Sequence, residues 1–369
     1  MAATREDVLK ALAQVIDPAS GQDVVSAGLI QGLTLRDGNV GFAVEVPAAR
    51  GPHAEPLRKA SEEAVAKLPG VFSVTAVLTA HSEPPNAKRG HSHGGHSHGA
   101  AQQAQAGIAG VSTIIAVASG KGGVGKSTVA VNLALGLSRL GLKVGLLDAD
   151  IYGPSVPRLL NIREKPESDG KKLKPIEKLG IKAMSIGFLV KEDEAMIWRG
   201  PMVQSALTQM MNDVAWAPLD VLVIDMPPGT GDAQLTIAQR VPLKGAVIVS
   251  TPQDIALIDA RKGIAMFNKT QVPVLGVIEN MSTFVCENCG HETHIFGHGG
   301  AKAVAEKLGV PFLGEIPLMP IVRETSDAGT PIVDYNPTSP EARAFIAVAE
   351  LVAKAIAAPA RAAPRIVME

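Results

Sequence analysis

The residues Gly120-Lys121-Gly122-Gly123-Val124-Gly125-Lys126-Ser127 satisfy the spacing G-x-x-x-x-G-K-[ST] of a phosphate-cradling loop, with a second lysine straight after the first glycine. The chemistry needs these residue types. Glycines let successive backbone N–H groups converge on phosphate oxygens, and a helix starting at the end of the loop adds a favourable dipole. Lys126 is expected to bridge the β- and γ-phosphates and the Ser127 hydroxyl to ligate Mg²⁺. The nucleotide-contacting stretch is therefore read as Gly120, Lys121, Gly122, Gly123, Val124, Gly125, Lys126, Ser127 and Thr128.

Acids and amides elsewhere extend this chemistry. The run Val144-Gly145-Leu146-Leu147 ends in Asp148-Ala149-Asp150, and strand period places both acids on one side at a carboxyl edge. One carboxylate is expected to hold Mg²⁺ or its waters and the other to orient the attacking water; the alternative is an N-cap for the segment that follows. Val221-Leu222-Val223-Ile224 ends in Asp225, an apolar strand closing on an acid that acts on Mg²⁺ through water. In the next loop, Met226-Pro227-Pro228-Gly229-Thr230-Gly231-Asp232, the Gly229 N–H is positioned to sense a γ-phosphate, and Asp232 is read as the cap of a helix to Arg240. Asn280, ending a later strand, could read an adenine edge or close a turn.

The loop with its second lysine, Asp150, and Asp225 followed by Pro227-Pro228-Gly229 resemble the deviant Walker A ATPases, the group of MinD, ParA and the nitrogenase iron protein. That resemblance implies catalytic roles for Lys121, Lys126 and Asp150. It further implies that Lys121 reaches the nucleotide of a second subunit, and hence an ATP-bridged homodimer.

The chain has two cysteines, spaced Cys286-Glu287-Asn288-Cys289. This is no disulfide framework, and in a reducing compartment the spacing suggests metal or redox chemistry. An iron–sulfur cluster wants four ligands and one chain supplies two thiolates; two chains about a twofold axis supply four. The rival readings are a zinc site from Cys286, Cys289, His291 and His294, a redox pair, and a plain loop with inert thiols. The segment from about Thr113 to Pro337 resembles the Mrp/ApbC iron–sulfur cluster carriers. The residues that carry this are Asp148 to Ser155, Trp198-Arg199-Gly200-Pro201-Met202, Asp225 to Asp232, Asn280-Met281-Ser282, Cys286 to Gly290, Ile295-Phe296-Gly297 and Gly314-Glu315-Ile316-Pro317. Glu287 stands where many members carry proline. The resemblance implies an ATPase that binds a labile 4Fe–4S cluster across a homodimer, at Cys286 and Cys289. The cluster would pass to apo iron–sulfur proteins, with a cluster assembly scaffold as a further partner.

The elements that must hold these residues alternate strand and helix, the pattern of an α/β, mostly parallel, doubly wound sheet. Strands are predicted over 113–119, 143–148, 181–187, 221–225, 245–250, 274–279 and 312–316, with a closing helix after Ser339-Pro340-Glu341. Trp198 to Met211 reads as a helix whose Met202, Met210 and Met211 serve core or dimer contact. Residues 1–81 read as a small α+β domain. A helix is expected over 6–15, strands over 24–35 and 40–46 joined by Arg36-Asp37-Gly38-Asn39, a helix over 55–68 and a strand over 71–78. It resembles a small domain of iron–sulfur assembly factors, without the cysteine that family carries before its second helix. Residues 82–110 read as a flexible linker containing His91, His93, His96 and His98, a weak metal-binding set or a plain tether; 111–356 as the ATPase domain; and 357–369 as a disordered tail.

Composition bounds the partners. A net charge of -1 and 3% aromatic residues argue against nucleic acid. No apolar run reaches membrane-spanning length, no basic amphipathic stripe suggests an anchor, and Met1 to Asp7 lacks the layout of a secretory signal, so a cytoplasmic location and no membrane partner are expected.

Overall fold

The computed structural model describes residues 3–36, 39–47, 54–71, 73–81, 107–170, 172–189 and 200–358. The linker histidines, Trp198 and the tail beyond Ala358 lie outside the described residues. The chain divides into two compact units, Met1–Ala100 and Ala101–Glu369.

The first unit runs α1 (Arg5–Leu12), β1 (Ile30–Arg36), β2 (Asn39–Pro47), α2 (Glu55–Ala66) and β3 (Ser73–His81). Thr4 and Asp7 form a reciprocal capping box that starts α1. The sheet has the order β1-β2-β3, with an antiparallel hairpin closing at Arg36 opposite Asn39 and a parallel β2–β3 pair. Val8, Leu12, Val24, Val44 and Val65 are fully buried beneath it. Two predicted elements are shorter than expected. The first strand starts at Ile30 instead of Val24, because Asp23 Oδ1 accepts the N–H groups of Val25 and Ser26 and bends the chain into turns. The first helix ends at Leu12, after which Val24 N–H donates to the Val15 carbonyl.

The second unit contains β4 (Val111–Ala118), α3 (Lys126–Arg139), β5 (Val144–Asp148), α4 (Val156–Leu159), β6 (Ile176–Lys178), β7 (Ile181–Ser185), α5 (Gly200–Asn212), β8 (Leu219–Asp225), α6 (Asp232–Arg240), β9 (Gly245–Ser250) and α7 (Asp254–Lys269). There follow β10 (Val274–Asn280), β11 (Phe284–Val285), β12 (Glu292–Thr293), α8 (Gly300–Leu308), β13 (Phe312–Ile316), α9 (Pro320–Ala328), α10 (Ile332–Tyr335) and α11 (Pro340–Ala357). Its eight-stranded sheet has the order β13-β10-β9-β4-β8-β5-β7-β6 and is parallel except where β6 meets β7. The central strands read as unbroken Val/Ile/Leu runs because helices cover both faces, and Ile115, Val117, Val223 and Val249 are fully buried. Residues ahead of Val111 already belong to this core: Ile108 is buried in it, and the Gly110 carbonyl accepts the Leu219 N–H. On α5, Met210 and Met211 are buried, whereas Met202 is exposed. Among the described residues no helix is long and apolar enough to cross a membrane.

Candidate functional site

All the chemistry-bearing residues lie at the carboxyl ends of β4, β5, β8 and β10, where an open α/β sheet binds its ligands. The glycine-rich loop joins β4 to α3. Gly125 caps α3 in the left-handed region at φ +80°, and no side chain caps that helix start, so its first N–H groups are left for an anion. A Cβ at Gly125 would stand 2.3 Å from Asn280 Nδ2, and one at Gly120 would stand 2.1 Å from the Asp259 backbone. The loop is therefore seated against β10 and α7 and admits no side chain at either position.

Lys126 Nζ lies 2.5 Å from Asp225 Oδ1 and 3.2 Å from Ser127 Oγ. The ammonium and carboxylate are 6% and 0% exposed, an ion pair that burial makes costly unless every remaining lone pair is used. One is not. Asp225 Oδ2 is, among the described residues, the buried side-chain polar atom with no hydrogen-bond partner. That orphan acceptor fits a Mg²⁺ ion with its water shell, and a phosphate entering the loop would compete with Asp225 for Lys126.

The two acids after β5 divide their work. Asp148 is fully buried and pairs in register with Asp225; it accepts the N–H groups of Asp150 and Val156 and the Ser185 hydroxyl. Burial first, and the Asp225 carboxylate second, push its carboxyl up to about 7. It is a structural acid that holds the turn into α4, the alternative reading of this pair. Asp150 is half-buried and faces the site, its carboxyl raised mainly by desolvation and opposed by the Lys126 charge.

One expectation is corrected here, and two other residues gain a partner. The Gly229 N–H donates to the Ser119 carbonyl at 3.0 Å, so meeting a γ-phosphate requires that bond to open. The Ser119 carbonyl also accepts from Gln234 Nε2 at 3.4 Å, so the two loops are tied together at their roots. Asp232 is not the cap of α6; Gly231 takes that position and Asp232 opens the first turn. Asn280 Nδ2 donates one N–H to the Val124 carbonyl at 2.8 Å, which makes Asn280 a brace for the loop. Neither Gly229 nor Asn280 could be placed from sequence, since each bond joins positions far apart in the chain.

Asn280 also leads to the cysteines. After β10, Ser282 N–H donates to the Ile316 carbonyl and Leu318 N–H to the Thr283 carbonyl, fixing the departing strand to β13. The antiparallel pair β11 and β12 then forms a two-stranded hairpin with Cys286 and Cys289 at its tip. Sequence reasoning missed this hairpin; its strands are two residues each, and the readable signal is Gly290, which turns the chain at φ +69°. Cys286 is half-buried and Cys289 exposed. The Cys289 N–H above all, then the Asn288 N–H and the Cys289 thiol, point at the Cys286 sulfur and lower its pKa. Convergence of N–H groups on one sulfur prepares a thiolate for metal.

The single-chain zinc reading finds no support in this geometry. Among the described residues, the set of three or more His, Cys, Asp and Glu ligand atoms close enough to share an ion is Glu279, His298 and Glu315. His294 instead stacks on His298 at 4.4 Å and lies 3.4 Å from the Thr283 hydroxyl.

The family model described as NUBPL iron-transfer P-loop NTPase matches residues 110–353, and that of the iron-sulfur cluster assembly protein matches residues 5–77. The chain belongs to the NUBPL iron-transfer P-loop NTPase family. Among relatives of this family, the iron-sulfur cluster carrier protein of Helicobacter pylori is 40% identical over 94% of this chain and 91% of its own length. The iron-sulfur cluster transfer protein NUBPL of Dictyostelium discoideum is 54% identical over 69% of this chain and 79% of its own. The Escherichia coli iron-sulfur cluster carrier protein is 59% identical, the match spanning 64% of each chain. A solved nucleotide-binding protein of Archaeoglobus fulgidus, in complex with ADP and with cobalt found in it, is 42% identical with a TM-score of 0.56, covering 64% of this chain and 92% of that one. The septum site-determining protein MinD of Pyrococcus horikoshii, complexed with Mg-ADP, is 25% identical with a TM-score of 0.50, covering 66% of this chain and 96% of that one. The fold and family that the motifs imply are those found.

Proposed function

We propose that this chain is an ATP-hydrolysing carrier that holds a 4Fe–4S cluster between two copies of itself and hands it to apo iron–sulfur proteins in the cytoplasm. The observation that carries this reading is the short covalent route from loop to thiolates: Asn280 braces the phosphate loop and Cys286 stands six residues further on, at the tip of a hairpin rooted in β13. One chain offers two thiolates, so a four-ligand cluster requires a second copy, and a twofold axis beside the hairpin supplies it.

In this scheme Gly120 to Thr128 wrap the phosphates, Lys126 transfers from Asp225 to the nucleotide, and Asp225 with Ser127 holds Mg²⁺. Mg²⁺ supplies charge neutralisation at the phosphates. Asp150 orients the attacking water, and Lys121 reaches the nucleotide of the second copy. Opening of the Gly229–Ser119 bond on γ-phosphate binding, and its closure on release, moves the Pro-Pro-Gly loop and loosens the dimer around the cluster.

Anaerobic reconstitution with iron and sulfide tests the assignment. The wild-type chain gains the visible absorbance of an iron–sulfur cluster and the Cys286→Ser/Cys289→Ser variant does not. Equal absorbance in both would overturn the ligand assignment.

A further inference from the structure

Glu279 is the penultimate residue of β10 and Glu315 that of β13, and the parallel register sets these two glutamates directly opposite each other. Like charges side by side on neighbouring strands repel. Among the described residues, no lysine or arginine forms an ion pair with either carboxylate; the base that reaches them is His298, whose Nε2 lies 2.8 Å from Glu315 Oε2. Glu279 is fully buried, and its two oxygens accept the N–H groups of Gly299 and Ala301 at 2.8 and 2.7 Å. Each of those oxygens keeps a second lone pair. One ligand atom from each of Glu279, His298 and Glu315 lies within 4.8 Å of the others.

One imidazole nitrogen and two carboxylates, brought together from two strands and the turn before α8, make a donor set for a divalent first-row transition metal. We propose that Glu279, His298 and Glu315 form a binding site for one such ion, of the ferrous class, separate from the cysteine tip and from the Mg²⁺ position at Asp225. The ion takes the place of the hydrogen between His298 Nε2 and Glu315. A protonated imidazole releases that proton to solvent and keeps the other on Nδ1. Its double charge offsets the two facing carboxylates, which a singly charged imidazolium does only in part.

The arrangement is built rather than incidental. The N–H groups that hold Glu279 also fix its carboxylate in orientation, as outer partners do for metal ligands. His298 is steadied by the stacked His294 ring, which belongs to the segment returning from the cysteine hairpin. A metal here would tie that segment to the ends of β10 and β13. Because Glu279 precedes Asn280, the ion would stiffen the same strand end that braces the phosphate loop.

The test uses the full chain carrying Cys286→Ser/Cys289→Ser, without nucleotide, dialysed against cobalt(II) alone. Cobalt bound per chain and the melting temperature are measured for this background and with His298→Ala or Glu315→Gln added. The linker histidines are present in every arm and cancel. The proposal expects one cobalt fewer per chain in both added variants, and a cobalt-induced rise in melting temperature that the background shows and they lack. Cobalt content and melting shift equal in all three would overturn it and leave an ordinary surface ion pair. Should His298→Ala fold poorly, Glu315→Gln decides alone, since it keeps side-chain shape at a partly exposed position.

Discussion

At Asp225 one oxygen carries a buried ammonium and the other carries nothing. A pair so placed gains little stability by itself, because desolvation consumes most of the Coulomb attraction. Its value is positional: it stores Lys126 at the mouth of the loop and leaves an acceptor for hydrated Mg²⁺. The Cys286 sulfur is prepared in a different way, by N–H groups of its own turn. Because the folded pKa lies below the unfolded one, the turn's preference for thiolate is present above the ordinary thiol range and is lost as pH falls through the lowered value. Alkylation of the native chain by iodoacetamide, followed by peptide mass spectrometry across a pH series, is expected to modify Cys286 with a midpoint below that of the same cysteine in the urea-unfolded chain. Coincident midpoints would show that the turn does not activate it.

Strand β10 is the element that joins the parts. Its last two residues hold the start of α8 and the phosphate loop respectively, and its continuation becomes the cysteine hairpin. Asn280→Ala leaves the Val124 carbonyl without its donor, at a cost of about 1–3 kcal/mol to the loop. A brace predicts that ATP and GTP affinities, measured by calorimetry, fall together by about tenfold, the equivalent of 1.4 kcal/mol. A loss confined to ATP would mean that Asn280 reads the adenine edge instead. Local signals made the strands and the glycine loop legible, because apolar runs and G-x-x-x-x-G-K-[ST] depend on neighbours in sequence. What stayed hidden was non-local. Asn280 on Val124, Gly229 on Ser119 and the in-register glutamates Glu279 and Glu315 all depend on which strands lie side by side. Asp23, by contrast, was readable as a turn former, but the apolar run after it outweighed it.

For the molecule as a whole, the proposal requires two copies. Lys121 sits half-buried in a loop that its own chain already completes with Lys126, and two thiolates stand at an exposed tip. One twofold axis would satisfy both features, and the cluster and the nucleotide would then share an interface. The first unit matches the iron-sulfur cluster assembly family over residues 5–77.

Native mass spectrometry of the anaerobically reconstituted chain with ATP tests this centre most directly. The account predicts a dimer carrying a single 4Fe–4S cluster, which the Cys286→Ser/Cys289→Ser variant lacks. A monomer that retains a whole cluster, or a dimer with one cluster in each chain, would contradict it.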